Sequence, residues 1–531
     1  MKEFDFNDLF VLDLANNHQG SVEHGLKVIR GCGEIVRKHN VRAAIKFQYR
    51  QLDTFIHPAH KEASDNKHIP RFLATRLSRE DWQVLFDAVK AEGMLTMCTP
   101  FDEESVSVIT NMGFDFMKVA SCSAKDWPLL ESVAEATMPV IVSTGGLDIN
   151  DVDKITSFFE HRGVGHALMH CVSIYPIPKN DFNLNHIDTL NKRYRKLTIG
   201  WSTHEDPNET VPVQIAVSKG ARMFERHVGF ETEDNKLNAY SSTPEQVDKW
   251  IEAYKYAVDL CGVKSLRPVT QIERDSLFGL QRGIYLKKNI KLGQKIGRND
   301  VYFSMPFTDG QLSSEFWQEG MVASGALKKD APIMPEDVKT PAEPDTKVLK
   351  DAIHQVKAML NEACITLDSG FNIEFSHHYG MSNFREVGAL IVDCINREYC
   401  KKLIVVLPGQ KHPIHYHKRK EETFQVLSGV FECEIDGHRR TLHPGETSIV
   451  LPGVWHRFWS DTGCIVEEVS TTHYNNDSIY NDRRINEIAR SDRKTVVKHW
   501  GRFELVDENS ESSGQNIDHV VNSEITSIGN G

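Results

Sequence analysis

Short apolar runs alternate with amphipathic stretches through the first 260 residues. The runs are LFVLDLA (9–15), AAIKFQ (43–48), LTMCTP (95–100), FMKVAS (116–121), PVIVSTG (139–145), ALMHCVS (167–173), LTIGWSTH (197–204) and RMFERHV (222–228). Each has strand length, and several are rich in Val, Ile and Thr. Between them the spacing is helical: in DWQVLFDAVKAEG, Trp82, Leu85 and Val89 share one face and Gly93 is placed to close the helix. Eight strands alternating with helices over about 250 residues predict an α/β chain opening with a (β/α)₈ barrel, residues 1–270. A doubly wound open sheet is the alternative, but no GxGxxG follows the first run, so its dinucleotide-binding version has no support.

The texture then changes. Residues 278–340 hold two similar segments, Ile290-KLGQKIGRND-Val301 and Leu327-KKDAPIMPED-Val338, which predict a compact, pseudo-symmetric β-rich module. A linker and helix follow at 341–371. TPAEPDT reads as the linker, and Leu349, Ile353, Val356 and Leu360 lie on one helical face. Over 372–495, short runs (LIVVLPG, TFQVLSG, VFECEIDG, ETSIVLPG, CIVEEVS) split by Pro-Gly and Ser-Gly turns predict an all-β barrel or jelly roll. The polar stretch 506–531 reads as a mobile tail.

Composition narrows the function. At 531 residues, 40% hydrophobic and 26% charged, the chain is globular and holds several domains. A net charge of −12 argues against a nucleic-acid-coating protein. No apolar run approaches the roughly 18–20 residues needed to span a bilayer. The acidic start MKEFDFNDLF is unlike a signal peptide. The ten cysteines are scattered without a CxxC pair, so a reducing cytoplasm is the expected compartment.

In a (β/α)₈ barrel the active site lies at the C-terminal ends of the strands. All eight runs carry polar groups there: Asp13, Asn16, Asn17 and His18; Lys46 and Gln48; Thr99 and Asp102; Lys118 and Ser121; Ser143 and Thr144; His170, Ser173 and Tyr175; Ser202 and His204; Glu225 and His227. A single buried Lys or His is ordinarily a rim or core residue, but eight polar strand ends are costly without a function. Two lysines among Ser and Thr hydroxyls suit a phosphorylated, carboxylated anion. His204 and His227, on adjacent strands, suit one divalent metal. Asp13 and Glu225 are candidates to complete its shell or to act as bases.

The segments DLANNHQG, IKFQ, CTPFDEESV, KVASCSAKDWPLLE, VIVSTGG, HCVSIYPIP, IGWSTHE and FERHVGF together resemble the sialic acid synthase family, N-acetylneuraminate synthase and its legionaminate and pseudaminate relatives. The 278–340 module resembles the antifreeze-like (SAF) domain that follows that barrel. The resemblance implies condensation of phosphoenolpyruvate with the open-chain aldehyde of an N-acylhexosamine or related aldose, giving a 3-deoxy-2-ulosonic acid and phosphate. It implies Lys46, Lys118, Ser121, Ser143, Ser173 and Ser202 at phosphoenolpyruvate, and His204 and His227 at Mn²⁺ or Mg²⁺. It further implies Gln48, Tyr175 and Asn238 at the sugar, Asp13 as the base for water, and a homodimer. Four positions depart from the family: Asp13 replaces a Glu, Ser173 stands where some relatives carry Asn, a sugar-binding Asp falls at Leu237 or Asn238, and a lid Arg falls at Met305. An altered acceptor sugar is the implication. A DAHP-type aldolase on a phosphorylated aldose and a non-catalytic sugar-binding protein are the alternatives.

In the third region, Gly409-x5-His415-x-His417-x4-Glu422-x6-Gly429 and Pro452-Gly453-x2-His456 resemble the two cupin motifs. His415 and His417, two apart on a strand, face the same side. With Glu422 and His456 they suit a second divalent metal whose identity the donor set leaves open. Sugar-isomerising cupins carry a similar set followed by acidic residues, here Glu467 and Glu468, so a sugar isomerase or epimerase and a plain binding module are both expected possibilities. His412 and His443 fall off the motif and read as surface residues.

Overall fold

The computed structural model describes residues 4–62, 65–263, 267–368 and 370–500, with the backbone of 504–505. The expected tail 506–531 lies outside the described residues. The chain divides into two compact units, one ending at Pro268 and the other beginning at Val269.

In the first unit the eight runs are eight parallel strands: β1 (Leu9–Asp13), β2 (Arg42–Tyr49), β3 (Leu95–Pro100), β4 (Phe116–Val119), β5 (Val140–Ser143), β6 (His166–Cys171), β7 (Ile199–Ser202) and β8 (Met223–His227). They close into a barrel because β1 pairs with both β2 and β8, which removes the open-sheet alternative. Side-chain alternation sorts each strand into two faces. Leu9, Val11, Ala44, Met97, Phe116, Ile141, Ala167, Met169 and Met223 fill the interior toward the N-terminal end. Residues of opposite parity, such as Phe10, Leu12, Ile45 and Phe47, pack outward under the helices. The helix Arg79–Ala91 buries Trp82, Leu85, Phe86 and Val89, begins with a Ser78/Asp81 capping box, and is followed by Gly93 at φ +77°. Such a cap contributes about 1 kcal/mol.

The second unit opens with the pseudo-symmetric module. Ile290 and Leu327 exchange reciprocal backbone hydrogen bonds of 2.9 Å, so the two segments meet about a local two-fold. Each repeats one turn: Asp300 accepts from Gly297 N at 3.1 Å, and Asp337 from Met334 N at 3.0 Å. Ile290, Ile296, Val301 and Val338 enter one small core.

The rest is two antiparallel sheets. In the larger, the order is Thr447–Val450, Glu422–Gly429, Cys464–Thr471, Tyr399–Val406, Ala389–Asn396, Asn372–Ser376, Lys494–Lys498 and Glu504–Leu505. In the smaller, it is His438–Leu442, Phe431–Ile435, His456–Trp459, His415–His417 and Ser478–Tyr480. Two expected boundaries change. The helix Asp345–Glu362 joins the β domain: Leu349, Ile353, Val356 and Leu360, on its one apolar face, share a core with Phe375, Leu390, Leu403, Val405 and Val497. The cupin sheet also runs past 495, to the strand Glu504–Leu505. No helix is long and apolar enough to cross a membrane among the described residues.

Candidate functional site

Above the apolar layers, the inward parity of the barrel strands turns charged. Strand register places Asp13 directly between Lys46 and His227, and Glu225 beside Ser202. The result is a buried ladder. Asp13 Oδ2 lies 3.0 Å from Lys46 Nζ and 3.3 Å from His227 Nδ1. Glu225 receives Lys46 at 2.9 Å, Lys118 at 2.7 Å and the Ser202 hydroxyl at 3.0 Å. Gln48 Nε2 donates to Asp13 at 3.3 Å. Desolvation opposes the charge on both lysines. At Lys46 the Asp13 and Glu225 carboxylates outweigh it and the pKa rises, whereas at Lys118 burial prevails and the pKa falls. Burial likewise opposes ionisation of Glu225, but the two lysines hold its pKa well below the carboxylate range.

Beside this ladder, two hydroxyls converge on a glycine. A Cβ on Gly145 would come 2.4 Å from Ser173 Oγ and 2.7 Å from Ser121 Oγ, and Gly145 N donates to Ser121 Oγ at 3.1 Å. Two lysines and this cradle match an anion with several oxygens. On the other flank, the His204 and His227 rings are 5.3 Å apart. Burial, then the charge of His227, lowers the His204 pKa to about 3, and burial lowers that of His227. His204 Nδ1 lies 3.2 Å from the Val172 carbonyl. A carbonyl only accepts, so Nδ1 carries the proton and Nε2 keeps its lone pair. Two neutral imidazoles so prepared fit a divalent ion.

The second unit builds a closed donor set. The ring nitrogens of His415, His417 and His456 lie within 4.8 Å of one another. His415 Nδ1 and His456 Nδ1 each face a backbone carbonyl at 3.0 Å, Pro413 and Val454 respectively, which leaves Nε2 free on both. His417 Nδ1 is 3.2 Å from Ser478 Oγ. Glu422 reaches His417 Nε2 at 3.2 Å and His456 Nε2 at 3.1 Å, yet Glu422 Oε2 and His456 Nε2 remain buried without a hydrogen bond. Two buried acceptors turned toward one another with no donor between them are what a metal ion satisfies. Burial, then its histidine neighbours, holds the His415 pKa well below its ordinary value. Lys420 lies 2.5 Å from Glu422 and 3.0 Å from Glu468.

Residues 38–265 match the NeuB family model, and residues 402–467 match the Cupin domain model. The crystal structure of a Chromobacterium violaceum ATCC 12472 protein named for spore coat polysaccharide biosynthesis is 41% identical, with a TM-score of 0.61, over 63% of this chain and all of that one. The chain belongs to the NeuB family. The N,N'-diacetyllegionaminic acid synthase of Legionella pneumophila is 26% identical over 56% of this chain and 85% of its own length. For the pseudaminic acid synthase of Campylobacter jejuni serotype O:2 the figures are 27%, 60% and 93%. These matches leave the cupin region as an addition to the NeuB-type barrel.

Within this NeuB-family barrel, the structure brings together Asp13, Lys46, Lys118, Ser202, His227 and His204, and joins Ser121 to Ser173 across Gly145. Ser143 is buried at the end of β5. The Tyr175 ring lies tilted 4.1 Å from that of His204 and edge-on 5.2 Å from that of Tyr240. Asn238 instead caps its own loop, accepting from Tyr240 N at 3.1 Å, and Leu237 packs over Gly229. Met305 is exposed. His170 has the outward parity and bonds the Phe182 carbonyl at 2.8 Å. In the cupin, His412 corrects the surface reading. It is buried, its ring stacks 4.6 Å from Phe458 and its Nε2 lies 3.1 Å from that of His378. The cause is its backbone, which donates to Phe458 O at 2.8 Å and turns the ring inward. His443 is exposed, as expected. Of the acidic pair only Glu468 faces inward, while Glu467 pairs with Lys401. Tyr240 and His378 lie outside every motif, and Lys420 falls among the four unspecified residues between His417 and Glu422, so none of the three carried a sequence signal.

Proposed function

We propose that the barrel condenses phosphoenolpyruvate with an open-chain aldose or N-acylhexosamine, giving a 3-deoxy-2-ulosonic acid and inorganic phosphate. The observation that carries this reading is the buried Lys46–Glu225–Lys118 ladder at the same strand ends as the Ser121/Ser173 pair and the His204/His227 pair, in a NeuB-family barrel. Lys46 and Lys118 neutralise the charges of phosphoenolpyruvate, while Ser121, Ser143, Ser173 and Ser202 direct hydrogen bonds to its oxygens. A divalent ion, Mn²⁺ or Mg²⁺, held by His204 and His227 supplies polarisation of the acceptor's aldehyde. Gln48 and Tyr175 line the acceptor's side. The C3 electron pair forms the new bond to the aldehyde carbon, whose oxygen takes a proton, and positive charge develops at C2. Asp13 stabilises that charge and accepts the proton of the water that adds to C2. The C2–O bond to phosphorus then breaks, releasing phosphate and leaving the 2-keto acid.

For the cupin, we propose metal-dependent processing of a sugar, an isomerisation or epimerisation, in a site separate from the barrel's. Support comes from the His415, His417, Glu422 and His456 set. It also comes from further orphaned groups nearby in the sequence of the same domain, His378 Nδ1, His473 Nδ1, Arg490 Nε and Arg493 Nε, which suit a ligand rich in hydroxyls. The 278–340 module is proposed as an antifreeze-like (SAF) lid over the partner's barrel in a cytoplasmic homodimer, with Met305 offering an apolar contact. A DAHP-type aldolase on a phosphorylated aldose is the second reading, motivated by the arginines near Gln48.

The test is phosphate release from phosphoenolpyruvate with Mn²⁺ and a panel of aldohexoses, hexosamines and phosphosugars. Release with an acceptor is expected. No release with any acceptor, from folded, metal-loaded protein, refutes the synthase reading.

A further inference from the structure

We propose that Arg50 selects an acceptor carrying an anionic group, a phosphate or a carboxylate, at the end remote from its aldehyde. The inference deepens the synthase reading and rests on it. Arg50 continues the inward parity of Lys46 and Gln48 just past β2. Its guanidinium lies between two rings, 4.1 Å from the centroid of Phe72 and 3.6 Å from that of Phe101. One of its terminal nitrogens donates to Gln48 Oε1 at 3.1 Å, and Gln48 in turn donates to Asp13. The guanidinium is therefore two hydrogen bonds from the catalytic ladder, and the two rings and Gln48 hold it in place.

What it lacks is a counter-charge. No carboxylate lies within ion-pair distance of Arg50 among the described residues, and its buried Nε has no hydrogen-bond partner. Burial lowers its pKa only to about 10, so it stays charged at neutral pH. A desolvated cation held without a counter-charge costs stability unless a ligand supplies it. The adjoining pocket, about 480 Å³, is lined by Arg50, Arg76 and Arg79 and by no Asp or Glu, in a chain of net charge −12. Arg76 is taken by Asp53, and Arg79 is exposed. Arg50 is thus the pre-oriented fork, and guanidinium forks match carboxylate and phosphate geometry. Asn16, His18 and Gln48, from just past β1 and from the end of β2, also line it, and Gln48 is the residue it shares with the Asp13 end of the ladder.

The experiment compares an aldose 6-phosphate, the matching uronate and the neutral aldose on wild type, Arg50→Met and Arg50→Lys, reading KM for acceptor and for phosphoenolpyruvate separately. The wild type should favour an anionic acceptor, and the more active of the two anions identifies the group. Arg50→Met should raise its KM about 10-fold or more, the size of one charge-assisted contact. It should leave the KM of phosphoenolpyruvate unchanged and should not lower the melting temperature of the ligand-free protein, and Arg50→Lys should recover part of the loss. Equal use of the neutral aldose, or a variant that weakens all acceptors alike or shifts phosphoenolpyruvate instead, overturns the proposal. If no acceptor releases phosphate, the synthase reading fails separately. Calorimetric titration of the two anionic sugars into the full chain, with phosphoenolpyruvate present, then decides. Binding lost in Arg50→Met sustains the anion site, and equal binding by wild type and variant overturns it.

Discussion

Glu225 holds two lysines in the floor of the barrel mouth, and replacing it with Gln isolates what that arrangement does. In Glu225→Gln the shape is kept while the charge shared by Lys46 and Lys118 disappears. Both lysines are at most 6% exposed, and Lys118 has no other carboxylate within ion-pair distance among the described residues. Removing one partner of a buried pair costs about 3–5 kcal/mol. For a unit of this size that is a fall in melting temperature of roughly 10 °C. The same geometry predicts a remedy. If the lysines form an anion site, phosphoenolpyruvate or inorganic phosphate restores the lost negative charge, so these anions should raise the melting temperature of the variant by more than that of wild type. Differential scanning fluorimetry across an anion titration, with chloride at matched ionic strength as control, reads both effects. A variant that melts with wild type, or gains no more than wild type from phosphate and phosphoenolpyruvate, would show that the ladder is structural and that the anion binds elsewhere.

Four further outcomes are expected. His204→Ala and His227→Ala should each abolish turnover with the fold intact, and the double variant should be little worse than either single, because both act through one ion; multiplicative losses in kcat/KM would separate them. His417→Ala should spare condensation when the correct aldose is supplied, yet block product when only its isomer is given; loss of condensation with the direct acceptor would merge the two sites. Apo-protein should lose stability as pH falls from 7 to 5. His18, with a pKa lowered to about 4, and His204 and His412, each lowered to about 3, stay neutral when folded but take up protons when unfolded. Each thus contributes stability that is complete above pH 6.5 and is lost on the way down to its folded pKa, about 2 kcal/mol per group at pH 5; urea midpoints equal at the two pH values would refute this. Light scattering at working concentration should give a dimer, and a monomer would remove the lid arrangement.

The barrel was legible because strand alternation and run length are local properties. Asp13, Lys46, Lys118, Ser202, Glu225 and His227 all have inward parity, and that can be counted along each strand. Register cannot. The sequence offered Glu225 only as a spare ligand or base, whereas closure of the barrel makes it the shared partner of two lysines from β2 and β4. In the cupin the motif spacing located the four donors, but nothing in the sequence KRKEE separates its inward residues from its outward ones. Lys420 and Glu422 turn inward from it while Lys418, Arg419 and Glu421 stay out. His412 is buried by a backbone bond to Phe458, a strand partner distant in sequence. Arg50 was passed over because one arginine beside a strand end resembles any rim residue until its missing counter-ion is visible.

Both proposed metal sites rely on burial to keep imidazoles neutral, but they differ in how many donors they commit, and that difference bears on their chemistry. In the barrel the carboxylate nearest the histidines, Asp13, is already bound to Lys46 and to His227 Nδ1. Only two imidazoles are left to hold an ion, so most of its coordination sphere stays open for the acceptor's oxygens. An ion held so sparingly binds firmly only when substrate completes the shell, which suits a Lewis acid acting late in an ordered reaction. In the cupin, three imidazoles and Glu422 converge; Lys420 takes only Oε1 of that carboxylate, and Oε2 has no hydrogen bond, whereas both oxygens of Asp13 are engaged. That set suits an ion retained without substrate, with room for one or two sugar oxygens. The barrel ion should therefore exchange readily against chelator in the absence of substrate while the cupin ion stays, a contrast that follows from donor number alone and that metal analysis after brief chelation measures directly.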